Sequence, residues 1–83
     1  MVDAGSSEHA LLIDASGLSC PLPVIELARG IESRTHGEVV RLLATDPAAQ
    51  VDVPVWCRLQ GHRLLRREEE PAGTWRFDVR CGG

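Results

Sequence analysis

A chain of 83 residues makes one domain with a thin core, because a chain this short buries only about 60–65% of its unfolded surface. A net charge of −3, with nine basic residues that are all arginine, excludes a general nucleic-acid binder and leaves no lysine for Schiff-base chemistry. No run approaches the ~20 apolar residues of a membrane span. The acidic stretch Met1–Glu8 has neither the basic n-region nor the apolar h-region of a signal peptide. It reads as a mobile tail ahead of a domain over residues 9–83.

The expected elements follow in chain order. A first strand runs from about His9 to Asp14. After the turn Ala15-Ser16-Gly17, the spacing of Val24, Leu27, Ala28 and Ile31 marks one face of a helix, expected from Pro21 to about Thr35. Gly30 weakens that helix, and close packing on a sheet would account for it. His36-Gly37 is a turn or C-cap. The second strand, Glu38–Thr45, is nearly continuous in apolar residues, which suggests a central position. Strand, helix and strand make a βαβ unit, so the first two strands should be parallel. Asp46-Pro47 starts a second helix over Ala48–Gln60, with Asp at the N-cap and Pro at N1. Its expected stripe is Ala48, Val51, Val55 and Leu59, with a kink or a break near Asp52-Val53 caused by Pro54. A third strand covers about His62–Glu69, and its charged run Arg66–Glu70 reads as a solvated strand end. Pro71-Ala72-Gly73 turns the chain. The fourth strand, Thr74–Cys81, alternates most cleanly: Trp75, Phe77 and Val79 on one face, Arg76, Asp78 and Arg80 on the other. One face should be packed and one wet. The fold class is α+β, a two-layer α/β sandwich in the order βαβαββ with both helices on one face of a mixed four-stranded sheet.

Cys20, Cys57 and Cys81 are odd in number and irregularly spaced, which is not a disulfide framework. There is no Cys-X-X-Cys, and His9, His36 and His62 lie far apart in the sequence, so no metal site is expected. A reduced, cytoplasmic thiol protein fits these counts. Among the three, Cys20 stands out. It sits in Leu18-Ser19-Cys20-Pro21-Leu22-Pro23, where a strand gives way to a helix. Pro is favoured at the first helical position, which puts Pro21 at N1, Cys20 at the N-cap and Pro23 at N3. Both prolines stiffen the backbone, and Gly17 permits the tight turn before the cysteine. The positive end of the helix dipole favours thiolate, lowering a thiol pKa that is roughly 8.5 when free. Asp14 either bonds the loop amides or ends its strand. Asp46 reads as a cap. Cys57, beside Trp56, reads as a half-buried packing residue or as a second redox thiol. Cys81 lies at a frayed end.

The stretches Leu12–Pro23, with its Asp-X-X-Gly and Cys-Pro-X-Pro, then Ala44–Ala48, Asp52–Cys57 and the closing Cys81-Gly82-Gly83 together resemble the TusA/SirA-like sulfur-carrier family over residues 10–83. The resemblance implies the same βαβαββ sandwich. It implies that Cys20 accepts sulfane sulfur as a persulfide from a cysteine desulfurase or a rhodanese-like donor and passes it to an acceptor protein. Acceptors in the family feed tRNA thiolation, molybdenum-cofactor assembly or sulfur oxidation. The best-known tRNA-thiolation members have an acidic residue between the prolines and a basic first helix. Here Leu22 stands between the prolines, and Glu26 and Glu32 accompany Arg29.

Persulfide relay needs little machinery: a thiolate attacks the outer sulfur of a donor persulfide and is later relieved of it in the same way. No cofactor, nucleic acid or membrane is called for, and a monomer suffices. Two other readings stand beside the carrier. One is a non-catalytic regulatory or interaction module of the same fold with a structural Cys20. The other is a small thiol-redox protein pairing Cys20 with Cys57. Ubiquitin-like carriers hold sulfur on a C-terminal Gly-Gly, but this body lacks their order of elements, so Gly82-Gly83 reads as a tail.

Overall fold

The structure, a computed structural model, describes residues 9–82; the expected tail over residues 1–8 lies outside them. Four strands, β1 (Leu11–Ala15), β2 (Val39–Ala44), β3 (Arg63–Glu70) and β4 (Thr74–Arg80), alternate with two helices, α1 (Leu22–Glu32) and α2 (Ala49–Gln60), and a 3-10 turn at Pro71–Gly73. The sheet order is β1-β2-β4-β3. β1 and β2 are parallel, as the βαβ spacing requires, and the other two pairings are antiparallel. The helices contact each other; α1 packs on β1 and β2, and α2 on β3 and β4. This is the expected βαβαββ sandwich.

The core lies between the layers. β2 and β4 are the inner strands, and they send Val40, Leu42, Ala44, Phe77 and Val79 toward the helices. Leu27 and Ile31 of α1 and Ala49, Val53 and Cys57 of α2 close over them. Gly30 is where α1 comes close to β1: a Cβ there would overlap Ile13 Cδ1 and press Leu11 Cδ2 at 3.1 Å. The other sheet face is ionic, as the alternation in β4 implied, but it is not wet throughout, since Asp78 is only 7% exposed. Arg41 and Asp78 pair across it at 2.8 Å, while Arg76 pairs with Glu68 and Glu70 and Arg66 with Glu68. The charges of β3 therefore line an edge strand, where they discourage pairing with a further strand.

Four expectations need correction. α1 ends at Glu32 rather than near Thr35. Ser33 turns its hydroxyl onto the Gly30 carbonyl, and the Thr35 amide donates to the Glu38 carboxylate, so side chains take over from the last helical turn. The stripe assigned to α2 faces outward. Val51, Val55 and Leu59 are 65%, 48% and 75% exposed, whereas Ala49, Val53 and Cys57 are buried. Both sets repeat at helical spacing, and the smaller side chains fit against the sheet. α2 does not break at Pro54. The proline lacks the N–H that would bond the Gln50 carbonyl four residues earlier, and Arg67 Nη1 of β3 donates to that oxygen at 3.3 Å instead. Lastly, Cys81 is not frayed. It is 3% exposed, its N–H bonds the Glu38 carbonyl, and its carbonyl accepts from the Gly37 amide. Gly82 follows with its N–H on His62 Nδ1.

Candidate active site at Cys20

Because β1 and β2 run the same way, the loops leaving their C-terminal ends lie side by side. The first carries Cys20 and the second Asp46. Gly17, at φ +84°, turns the chain out of β1, and its N–H donates to Thr45 Oγ1 of the neighbouring loop at 2.8 Å. Asp14 accepts the Ser16 amide at 3.0 Å, so it does bond the loop; the Ser16 hydroxyl first, and then that amide bond, hold its carboxyl below the ordinary value. The Leu22 amide bonds Ser19 O at 2.8 Å and closes the turn over Cys20. The Cys20–Pro21 peptide bond is cis.

The helix begins one residue later than its prolines suggested. Pro21 is the N-cap, Leu22 the first helical residue and the buried Pro23 the second. Cys20 precedes the cap, so its N–H falls outside the helix ladder and needs a partner. Asp46 supplies it: Oδ2 accepts the Cys20 amide at 2.6 Å, and Oδ1 accepts the Ala48 amide at 3.0 Å. Asp46 is therefore not the N-cap of α2 with Pro47 at N1, as expected: Ala48 is the N-cap and the helix starts at Ala49, so the Asp46 carboxylate holds the turn before the helix and ties the two loops together. Charge-assisted bonds from two amides, Ala48 first and then Cys20, hold the Asp46 carboxyl below its ordinary value.

The thiol has a partner that the sequence did not single out. Cys20 Sγ donates to Asp52 Oδ2 at 2.7 Å. Asp52 stands in the first turn of α2, within the Asp-Val-Pro stretch that carried part of the resemblance. Its contact with Cys20 spans 32 residues of chain, so no local spacing announces it. The electrostatic expectation at Cys20 is accordingly reversed. The hydrogen bond to Asp52 favours the neutral thiol, some desolvation adds to it, and the charges of Asp52 and Asp46 push the same way. The pKa is raised, where the helix dipole alone would lower it.

Cys20 is exposed and Cys57 and Cys81 are buried, all three as free thiols. An exposed Cys20 counts against a purely structural thiol. Cys57 points into the core, and burial pushes its thiol up to about 11, which counts against it as a redox partner of Cys20. Cys81, opposite the start of β2, is at the far end of that strand from the Asp46 loop. Beside Cys20 an open groove of about 430 Å³ runs between the helices. Pro21, Val24, Val51, Val55, Trp56 and Leu59 line it, and among the described residues the Cys20 thiol and the Asp52 carboxylate are its only ionisable groups. The outward stripe of α2 is therefore the wall of this groove. Among the described residues no group of histidine, cysteine and acidic side chains could hold a metal ion, and no helix is long and apolar enough to cross a membrane.

Comparison with known proteins adds four findings. The chain is 40% identical over 72 residues to the sulfur carrier protein TusA of Pseudomonas entomophila, covering 87% of this chain and 89% of that protein. It is 39% identical over 69 residues to the protein of the same name from Pseudomonas putida strain W619, covering 83% and 85%. The crystal structure of a SirA-like protein from Desulfitobacterium hafniense superposes with a TM-score of 0.77 at 24% identity, covering 88% of this chain and 99% of that one, and so shares the fold. With residues 12–80 matching the family described as sulfurtransferase TusA, the chain belongs to the TusA family.

Proposed function

We propose that this protein is a sulfur carrier that holds sulfane sulfur as a persulfide on Cys20 and passes it to an acceptor protein. The observation that carries the reading is an exposed Cys20 thiol in a Cys-Pro-Leu-Pro stretch of a TusA-family chain, its backbone fixed by Asp46. Relatives named as sulfur carriers support it. The donor is a cysteine desulfurase or a rhodanese-like protein. The protein acts as a monomer in the reducing cytoplasm, where its cysteines stay free, and it needs no nucleic acid or membrane.

Gly17, Pro21, Pro23, Asp14 and Asp46 are support in this reading. They hold a loop whose single reactive atom must meet another protein's reactive atom, so position and access count for more than added catalytic groups. The apolar groove beside Cys20 offers the partner a surface on which to sit.

The test is incubation with cysteine and a cysteine desulfurase, or with thiosulfate and a rhodanese, followed by intact and peptide mass spectrometry. One added sulfur atom on the Cys20 peptide, absent from Cys20→Ser, is the expected result. Sulfur on Gly83 instead would move the reading to a C-terminal thiocarboxylate.

A further inference from the structure

The Cys20 thiol is exposed, yet its proton is held. It points at Asp52 Oδ2, 2.7 Å away. A carboxylate in that position accepts from the neutral thiol and repels the thiolate, and the thiolate is the nucleophile. Among the described residues, the charges acting on the thiol are Asp52 from α2 and Asp46 from the loop after β2, both acidic. The α1 side of the groove presents only Pro21 and Val24. The isolated carrier thus keeps its sulfur site in the less reactive form. A relay must undo this, and nothing among these neighbours does.

The groove indicates what would. Its walls are apolar, and among the described residues its one carboxylate is Asp52. A partner that covered Asp52 with apolar surface alone would strand a carboxylate away from water, which is strongly unfavourable. A partner that brings a cation satisfies the carboxylate and withdraws it from the thiol in one contact. We propose, on the reading that Cys20 is the sulfur site, that Asp52 gates the thiol, and that the gate opens when a sulfur-donor protein lays an apolar loop in the groove and pairs an arginine or lysine with the Asp52 carboxylate.

The step then balances. With Asp52 held by the partner's cation, the Cys20 thiol loses its proton to solvent. A lone pair on Sγ forms an S–S bond to the outer sulfur of the donor persulfide. The donor's own S–S bond breaks, its electron pair stays on the donor cysteine sulfur, and that thiolate takes up a proton. The donor cysteine goes from persulfide to thiol as Cys20 goes from thiol to persulfide, so no further oxidant enters.

The test uses the full chain and three proteins: wild type, Asp52→Asn and Asp52→Glu, each checked for folding by circular dichroism. Two rates are measured, alkylation of Cys20 by iodoacetamide across pH and sulfur loading from cysteine by a cysteine desulfurase. In Asp52→Asn the alkylation profile moves to lower pH and the rate at pH 7 rises at least about threefold, because more thiolate is present. Loading by the desulfurase falls all the same, because the carboxylate that recruits the cation is gone. Asp52→Glu, which keeps the charge, recovers loading at least in part. An unchanged alkylation profile would overturn the gate. Loading that rises in step with alkylation would overturn the partner's cation and leave Asp52 a simple brake. If no protein takes up sulfur, the carrier reading and the partner half of the proposal both fail, while the alkylation profiles still decide whether Asp52 holds the thiol.

Discussion

Arg67 donates to the carbonyl of Gln50 at 3.3 Å, the oxygen that Pro54 leaves without its helical donor. A strand side chain thereby replaces a missing bond in α2, two residues from Asp52. Removing one partner of such a bond exposes the other's desolvation cost, about 1–3 kcal/mol. Arg67→Met is therefore expected to lower stability by about 1 kcal/mol, since the site is partly solvated. In a Pro54→Ala background, where the helix regains its own N–H, the same substitution should cost less. Urea denaturation of the four proteins in this cycle measures the coupling. Equal costs in both backgrounds would mean that Arg67 does not stand in for the proline's donor.

Asp46 links the Cys20 loop to the turn before α2 by two amide bonds. Its folded-state pKa lies below the ordinary value of 3.8. A carboxyl depressed on folding stabilises the protein above its unfolded pKa, and the contribution is lost as pH falls through the folded value. Asp46→Ala should accordingly be less stable than wild type at neutral pH, with the gap closing as pH drops below about 4. Urea midpoints at pH 7, 5 and 3 follow this. A gap of constant size would assign the loss to packing rather than to the ionised carboxylate.

Much of the fold was legible because its signals are local. The alternation of Trp75, Phe77 and Val79 with Arg76, Asp78 and Arg80 gave the apolar and charged faces of β4, though not the burial of Asp78, and the apolar density of Val39–Ala44 gave β2 its inner place. Cys20 was legible for the same reason, since its prolines and Gly17 are neighbours in sequence. What escaped was decided by tertiary contact. Two sets of apolar residues in α2 satisfy the helical period, and only the sheet's demand for small side chains selects Ala49, Val53 and Cys57 for the interior. Asp52 reaches Cys20 across 32 residues, and Arg67 reaches Gln50 across 17. Neither the rescue of Pro54 nor the reversed electrostatics of the thiol can be read without those crossings.

The two apolar faces of α2 separate stability from function. Val53 is fully buried, and Val53→Ala should cost about 2 kcal/mol in lost burial and residual cavity. Leu59, 75% exposed on the groove wall, should leave stability within about 0.5 kcal/mol when changed to Ser. Sulfur loading by a protein donor should nevertheless slow in Leu59→Ser, through a higher KM rather than a lower kcat, if the groove seats the donor. Thermal melts and loading rates on the same preparations supply both numbers. Unchanged loading would remove Leu59 from the docking surface.

The three thiols make the last contrast. Cys20 is exposed and Cys57 is 2% exposed, its thiol pushed up to about 11 by burial. At pH 7 native protein should take one iodoacetamide label, on Cys20, and Cys57 and Cys81 should label only in denaturant. Cys57→Ser places a hydroxyl among Val53, Phe77 and their neighbours in the core and should destabilise by about 1–3 kcal/mol, while leaving native labelling of Cys20 intact. Mild oxidation of native protein should form no Cys20–Cys57 disulfide, because Cys57 faces the sheet and Cys20 the groove. Peptide mapping after alkylation and after oxidation checks each point. Rapid native labelling of Cys57, or an intramolecular disulfide that forms as fast as Cys20 reacts, would return the two-thiol redox reading to the front.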